Sequence, residues 1–127
     1  MKQNESKLQQ SCVSWFRSQY PHYRKILFAV PNGGLRSVIT AARMKAEGVV
    51  AGVSDLLLLI PRGEYHGMAI EMKSGKNDLT ESQQDFKQAV QKHGYRHVTC
   101  RTFDEFEREI NSYLGNSIEK PVFYIGR

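Results

Sequence analysis

The chain has 127 residues, 40% hydrophobic and 24% charged, with a formal net charge of +5. That length and composition fit a single globular domain, 1–127, and exclude a disordered or low-complexity chain. The basic excess favours a polyanionic partner, no apolar run approaches the ~18 residues of a membrane span, and the polar N-terminus lacks an apolar signal core, so the expected location is cytoplasmic.

Over residues 5–19, Leu8, Cys12 and Trp15 or Phe16 recur at helical spacing, and Pro21 stops the helix. Cys12 and Cys100 match neither a zinc spacing nor a disulfide framework and are expected to be buried thiols. Glu5 is the only acid before Glu47; the basic residues of that stretch are Lys2, Lys7, Arg17, Arg24, Lys25, Arg36, Arg43 and Lys45. A carboxylate isolated in such a segment is either a helix-start acid favoured by the dipole or part of a cation site.

Ile26 to Val30 is a short apolar run that reads as a buried strand, followed by a turn at Pro31-Asn32-Gly33-Gly34. Amides of a glycine-rich turn can approach a phosphate, although no P-loop lysine follows here. Ser37 can cap a helix running to about Glu47, with Gly48 as its stop. Asn32, Gly33, Arg36, Arg43 and Lys45, with Lys76 further on, are candidate contacts to nucleic acid.

Gly52-Val53-Ser54-Asp55 leads into the apolar run Leu56 to Ile60, which fits a strand covered on both faces. After a turn at residues 61–67, Met68, Ile70 and Met72 alternate with Ala69, Glu71 and Lys73, so Glu71 and Lys73 share one face of a second strand. Thr80-Glu81-Ser82-Gln83 has capping-box form and starts a helix reaching His93, with Leu79, Gln83, Phe86 and Val90 on one stripe. Tyr95 to Arg101 reads as a strand. Thr102-Phe103-Asp104-Glu105 caps a last helix with Phe103 or Phe106, Ile110 and Leu114 inward. Pro121 to Ile125 reads as a terminal strand or a docking tail.

If the strands at 56–60 and 68–73 pair as a hairpin, Asp55 and Glu71 become neighbours. Two bare carboxylates about 4 Å apart repel by roughly 4 kcal/mol at an effective dielectric of 20, and a hard divalent cation removes that penalty. The expected ion is Mg2+ or Mn2+, held by Asp55, Glu71 and the backbone carbonyl of Met72. Lys73 can act as a point charge toward a phosphate oxygen or a water. A solvated Glu-x-Lys surface pair is the plainer alternative.

Asn32-Gly33-Gly34, Lys45-Ala46-Glu47-Gly48, Gly52-Val53-Ser54-Asp55, Ile70-Glu71-Met72-Lys73, Thr80-Glu81-Ser82-Gln83 and Gly94-Tyr95 together resemble the VRR-NUC family of the PD-(D/E)xK nuclease superfamily. The resemblance covers about residues 5–114, and Ser54 stands where the superfamily has proline. It implies an α/β, restriction-endonuclease-like αβββαβ core with a mixed central sheet flanked by helices. It also implies Asp55 and Glu71 as metal ligands, Lys73 as the catalytic lysine, Gln83 as a support to the metal water or phosphate, and Glu5 as an additional acid at the metal site. The expected activity is metal-dependent DNA endonuclease, structure-specific in the manner of Holliday-junction resolvases, on branched DNA and as a homodimer. Restriction-type or mismatch-directed cleavage, and a non-catalytic DNA-binding module, are the alternatives.

Overall fold

A computed structural model describes residues 3–31 and 37–115; Asn32, Gly33, Arg36 and the 121–125 segment lie outside them. The elements run α1 (Gln3–Gln19), β1 (Leu27–Ala29), α2 (Val38–Ala46), β2 (Leu56–Leu58), β3 (Met68–Met72), α3 (Glu81–Lys92), β4 (Arg96–Cys100) and α4 (Phe103–Leu114). The four strands form one sheet in the order β1-β2-β3-β4, with β1–β2 and β2–β3 antiparallel and β3–β4 parallel. A parallel pair needs a long crossover, which α3 supplies. This is the mixed sheet flanked by helices that the sequence led us to expect.

Strand alternation sorts the sheet residues. Leu56, Ile70 and Val98 lie in one cross-strand row, and Leu57, Ala69 and His97 lie in the next. Leu56, Met68, Ile70, Met72 and Cys100 join Cys12 and Phe16 of α1 and Phe106, Ile110 and Leu114 of α4 in one core. The 3.6-residue period places Cys12 and Phe16 one turn apart on the buried side of α1, as it does Phe106 and Ile110 on α4. Trp15 packs edge-on against Phe103 and Phe106, with ring centroids about 6.1 Å apart. Both cysteines are free and buried, and burial pushes each thiol up to about 12. They are therefore inert, which fits the expectation of core thiols.

The differences from the sequence reading are local. The strand expected over Leu56 to Ile60 forms ladder pairs only at Leu56–Leu58, because β1 offers three residues to pair with and Pro61 has no N–H to extend the ladder. A short 3₁₀ turn at Pro21–Tyr23 follows α1; proline at its first position has the required φ preset. Ser37 caps α2 by accepting the N–H of Thr40, as expected, yet no residue of α2 is buried. Hydrophobic pattern alone does not reveal that this helix stands off the core.

α3 lies along β4 and covers the sheet face opposite the main core. His97 sits on that face, 7% exposed, and neither ring nitrogen has a hydrogen-bond partner. Burial, with the charge of Lys87 second, lowers its pKa from 6.5 to about 4. The unfolded imidazole thus takes up a proton before the folded one does. Stability is full above about pH 6.5 and falls as pH drops toward about 4. We expect a His97→Leu variant to lose that part of the acid sensitivity, a difference on the order of 2–3 kcal/mol in urea unfolding between neutral and acidic buffer. Parallel pH profiles of the two proteins would contradict it.

Candidate metal and phosphodiester site

The β2–β3 pairing places Leu56 opposite Ile70, so the same register sets Asp55, one residue before β2, opposite Glu71. Glu71 in turn lies beside Thr99 of β4. The β1 side is closed by Val30, whose N–H donates to the Asp55 carbonyl at 2.9 Å. Asp55 therefore starts where the hairpin strands part, as the sequence argument required. Its Oδ2 accepts the Met72 N–H at 2.7 Å, which fixes the carboxylate across the gap. In an extended strand a residue's N–H and C=O leave on the same edge, so the Met72 carbonyl is directed to the Asp55 side.

Glu71 is 2% exposed, which removes the solvated surface pair as an account of Glu71 and Lys73. Gln83 donates from Nε2 to Glu71 Oε2 at 3.1 Å, while its Oε1 accepts the Thr80 N–H at 2.9 Å. The capping box of α3 thereby doubles as the bracket for a buried carboxylate. Both ends of the Gln83 amide are thus engaged within the protein. Glu71 Oε1 is closed off from solvent with no donor. Burial first, then the charge of Asp55 and a carboxyl contact with it, push the Glu71 pKa well up; Lys73 offsets part of the rise and Glu5 adds to it. Burial and the neighbouring acid thus favour the protonated form of Glu71.

Glu5 reaches the same end of the sheet by another route. Its Oε2 accepts both the N–H and the Oγ–H of Ser74 at 3.0 Å, anchoring the chain one residue beyond Lys73 to α1. Its observed partner is thus Ser74 and not the carboxylate pair. The Lys73 N–H donates to the Cys100 carbonyl at 3.1 Å, which extends the β3–β4 ladder and directs the lysine side chain to the Glu71 face. Among the described residues, no three Asp, Glu, His or Cys side chains gather as a metal cage. The candidate donor set is two carboxylates and a backbone carbonyl. An oxygen-only set with an orphaned buried carboxylate oxygen fits a hard divalent ion that keeps much of its own hydration, as Mg2+ does.

Gly52 acquires a structural reason. Its φ is +86, and a Cβ there would lie 2.2 Å from the Ser82 carbonyl oxygen in the first turn of α3. Ser54, where the superfamily has proline, is fully buried with no partner for Oγ, so the position needs a small side chain and no hydroxyl chemistry. Arg43 and Lys45 are exposed on α2, Arg43 beside Glu47 at 4.0 Å, and Lys76 is exposed in the loop after β3. None of these three enters the carboxylate site. The residues not foreseen are Ser74, Thr99 and Gly52 as a contact point; only the Thr80-x-x-Gln83 spacing signalled any part of the supporting shell.

A family model described as "VRR-NUC domain" matches residues 1–104. A solved structure titled "VRR_NUC domain protein" superposes with a TM-score of 0.75 at 29% identity, covering 87% of each chain. No curated protein matches the chain significantly. With the family model spanning most of the sequence and the fold agreeing, the chain belongs to the VRR-NUC family, a branch of the PD-(D/E)xK nucleases.

Proposed function

We propose that the protein is a divalent-metal-dependent DNA endonuclease that cuts branched DNA as a homodimer. The observation that carries the chemistry is the pairing of half-buried Asp55 with buried Glu71, braced by Met72 N–H and Gln83 and faced by Lys73. A fold used only for docking on DNA has no need of two acids set side by side in its sheet, since they do not attract a polyanion.

Asp55, Glu71 and the Met72 carbonyl would hold Mg2+ or Mn2+, with the free Glu5 oxygen available to its outer hydration. When bound, the ion supplies charge neutralisation at the phosphate and a more acidic water. The protein's own residues do the rest. Gln83 keeps Glu71 oriented, and the Met72 N–H keeps Asp55 oriented, so neither carboxylate must reorganise as the reaction proceeds. Lys73 places a positive charge on the Glu71 face, where it can hold the attacking water or a non-bridging phosphate oxygen. The Glu5–Ser74 link fixes the backbone immediately after Lys73.

Each chain offers one such site, and paired incision of a four-way junction needs two; a two-fold dimer supplies them. The exposed apolar residues Val38 and Ile39 of α2, with Val49 and Val50 after it, support an interface on that side. No described helix is long and apolar enough to cross a membrane, which suits work on DNA in the cytoplasm. The test is a cleavage panel in Mg2+ or Mn2+ with four-way junctions, flaps, forks and linear duplex. Junctions should be cut fastest, and chelator should stop all cleavage. Equal rates on linear duplex would refute the branched-DNA preference; full activity in chelator would refute the metal.

A further inference from the structure

α1 and β1 bound a groove of about 490 Å3, whose lining includes Gln9, Gln10, Ser14, Arg17, Ser18 and Ala29. Both of its walls lead along the chain toward the carboxylate site. Gln9 is one helical turn beyond Glu5, on the same face of α1. Ala29 precedes Val30, whose N–H donates to the Asp55 carbonyl. Among the described residues β1 pairs only with β2, so the outer wall is a sheet edge there.

The lining has the chemistry of a phosphate track. Among the described residues it presents two amides, two hydroxyls and one guanidinium beside the apolar Val13 and Ala29, and no carboxylate. These are the donors that proteins turn toward sugar and phosphate oxygens. Glu5, at the site end, is the only acid in sequence before Glu47. Arg17 is exposed, and among the described residues it pairs with no carboxylate. From Gln9 to Ser18 the helix advances about 14 Å at 1.5 Å per residue.

We infer that this groove seats the sugar–phosphate backbone of the DNA strand leading away from the scissile bond, with Arg17 as its ionic phosphate contact. The inference rests on the nuclease reading above and adds to it a defined path for the substrate. Contacts of this kind set register and carry no base preference, so the groove contributes affinity and not sequence choice.

The test is binding of a fluorescent four-way junction to the full chain in Ca2+, over a series of salt concentrations. Arg17→Gln should weaken binding by about tenfold at about 0.1 M salt and flatten the dependence of log K on log salt by about one. Ser14→Glu should weaken binding as well, and Arg17→Lys should recover most of the slope. Lys92→Gln, at the far end of α3, should match the wild type. Wild-type binding and slope in both Arg17→Gln and Ser14→Glu would overturn the groove assignment alone. A wild-type protein that binds no DNA would overturn the nuclease reading too. A change in sedimentation mass in place of a change in affinity would overturn it in favour of an interface between copies of the chain.

Discussion

Lys73→Ala should lower Mg2+-dependent cleavage of bound DNA by about two to three orders of magnitude, the usual cost of removing one preorganised charge from a developing anion. The side chain stands on the Glu71 face of β3 and contributes no buried packing, being only half-buried itself. The fold should therefore persist, and DNA affinity should fall only by the few-fold expected for one exposed cation. Single-turnover rates at saturating protein separate the two effects, because they report the chemical step and not binding. Its ammonium also offsets the forces that raise the Glu71 pKa. Losing that offset should raise the Glu71 pKa further, so the variant should need more metal to reach half-maximal rate. Unchanged single-turnover cleavage would remove Lys73 from the mechanism.

Gly52→Ala should cost about 3 kcal/mol or more and should impair the site together with the fold. Two terms add. A non-glycine residue at φ +86 pays roughly 1–2 kcal/mol for the left-handed conformation. The new Cβ would also meet backbone of α3, at 2.2 Å from Ser82 O and 2.9 Å from Gln83 N. Backbone cannot swing aside as a side chain can, so the loop or the start of α3 must move. Either shift pulls Gln83 away from Glu71 and leaves both of its carboxylate oxygens without a donor. Gly48→Ala provides the comparison: its φ is +106 and nothing lies within 4 Å of the added carbon. That variant should lose about 1 kcal/mol and keep its metal affinity. Equal urea midpoints for the two variants would show that the Gly52 approach to α3 carries no weight.

These two residues show how far the sequence could be read. Lys73 and Glu71 were legible because a strand's period of two puts i and i+2 on one face whatever the rest of the chain does. Gln83 was legible because Thr-x-x-Gln marks a helix start and the start lies nearest the preceding strand. The pairing of Asp55 with Glu71 followed once a hairpin was assumed. Gly52 was visible as a glycine, but its contact with Ser82 depends on how a loop docks against a helix thirty residues on. The Glu5–Ser74 link joins groups 69 residues apart, and no local periodicity encodes it. The same holds for the isolation of α2, whose Ser37 cap and helix-forming residues read like those of any core helix. Local rules fixed the elements; long-range docking decided which of them share the site.

The central claim is that Asp55 and Glu71 are a cation site, and calorimetric titration of Mn2+ into wild type and Asp55→Asn tests it most directly. Asparagine keeps an oxygen able to accept the Met72 N–H, now received by Asp55 Oδ2 at 2.7 Å, so the substitution removes charge with little change of shape. Outer partners of metal ligands are worth about 10- to 100-fold in affinity, and a direct ligand should be worth at least as much. The wild type should bind the ion, and Asp55→Asn should bind it at least about a hundredfold more weakly while remaining folded. Equal affinity in the two proteins, or no binding to the wild type, would contradict the assignment.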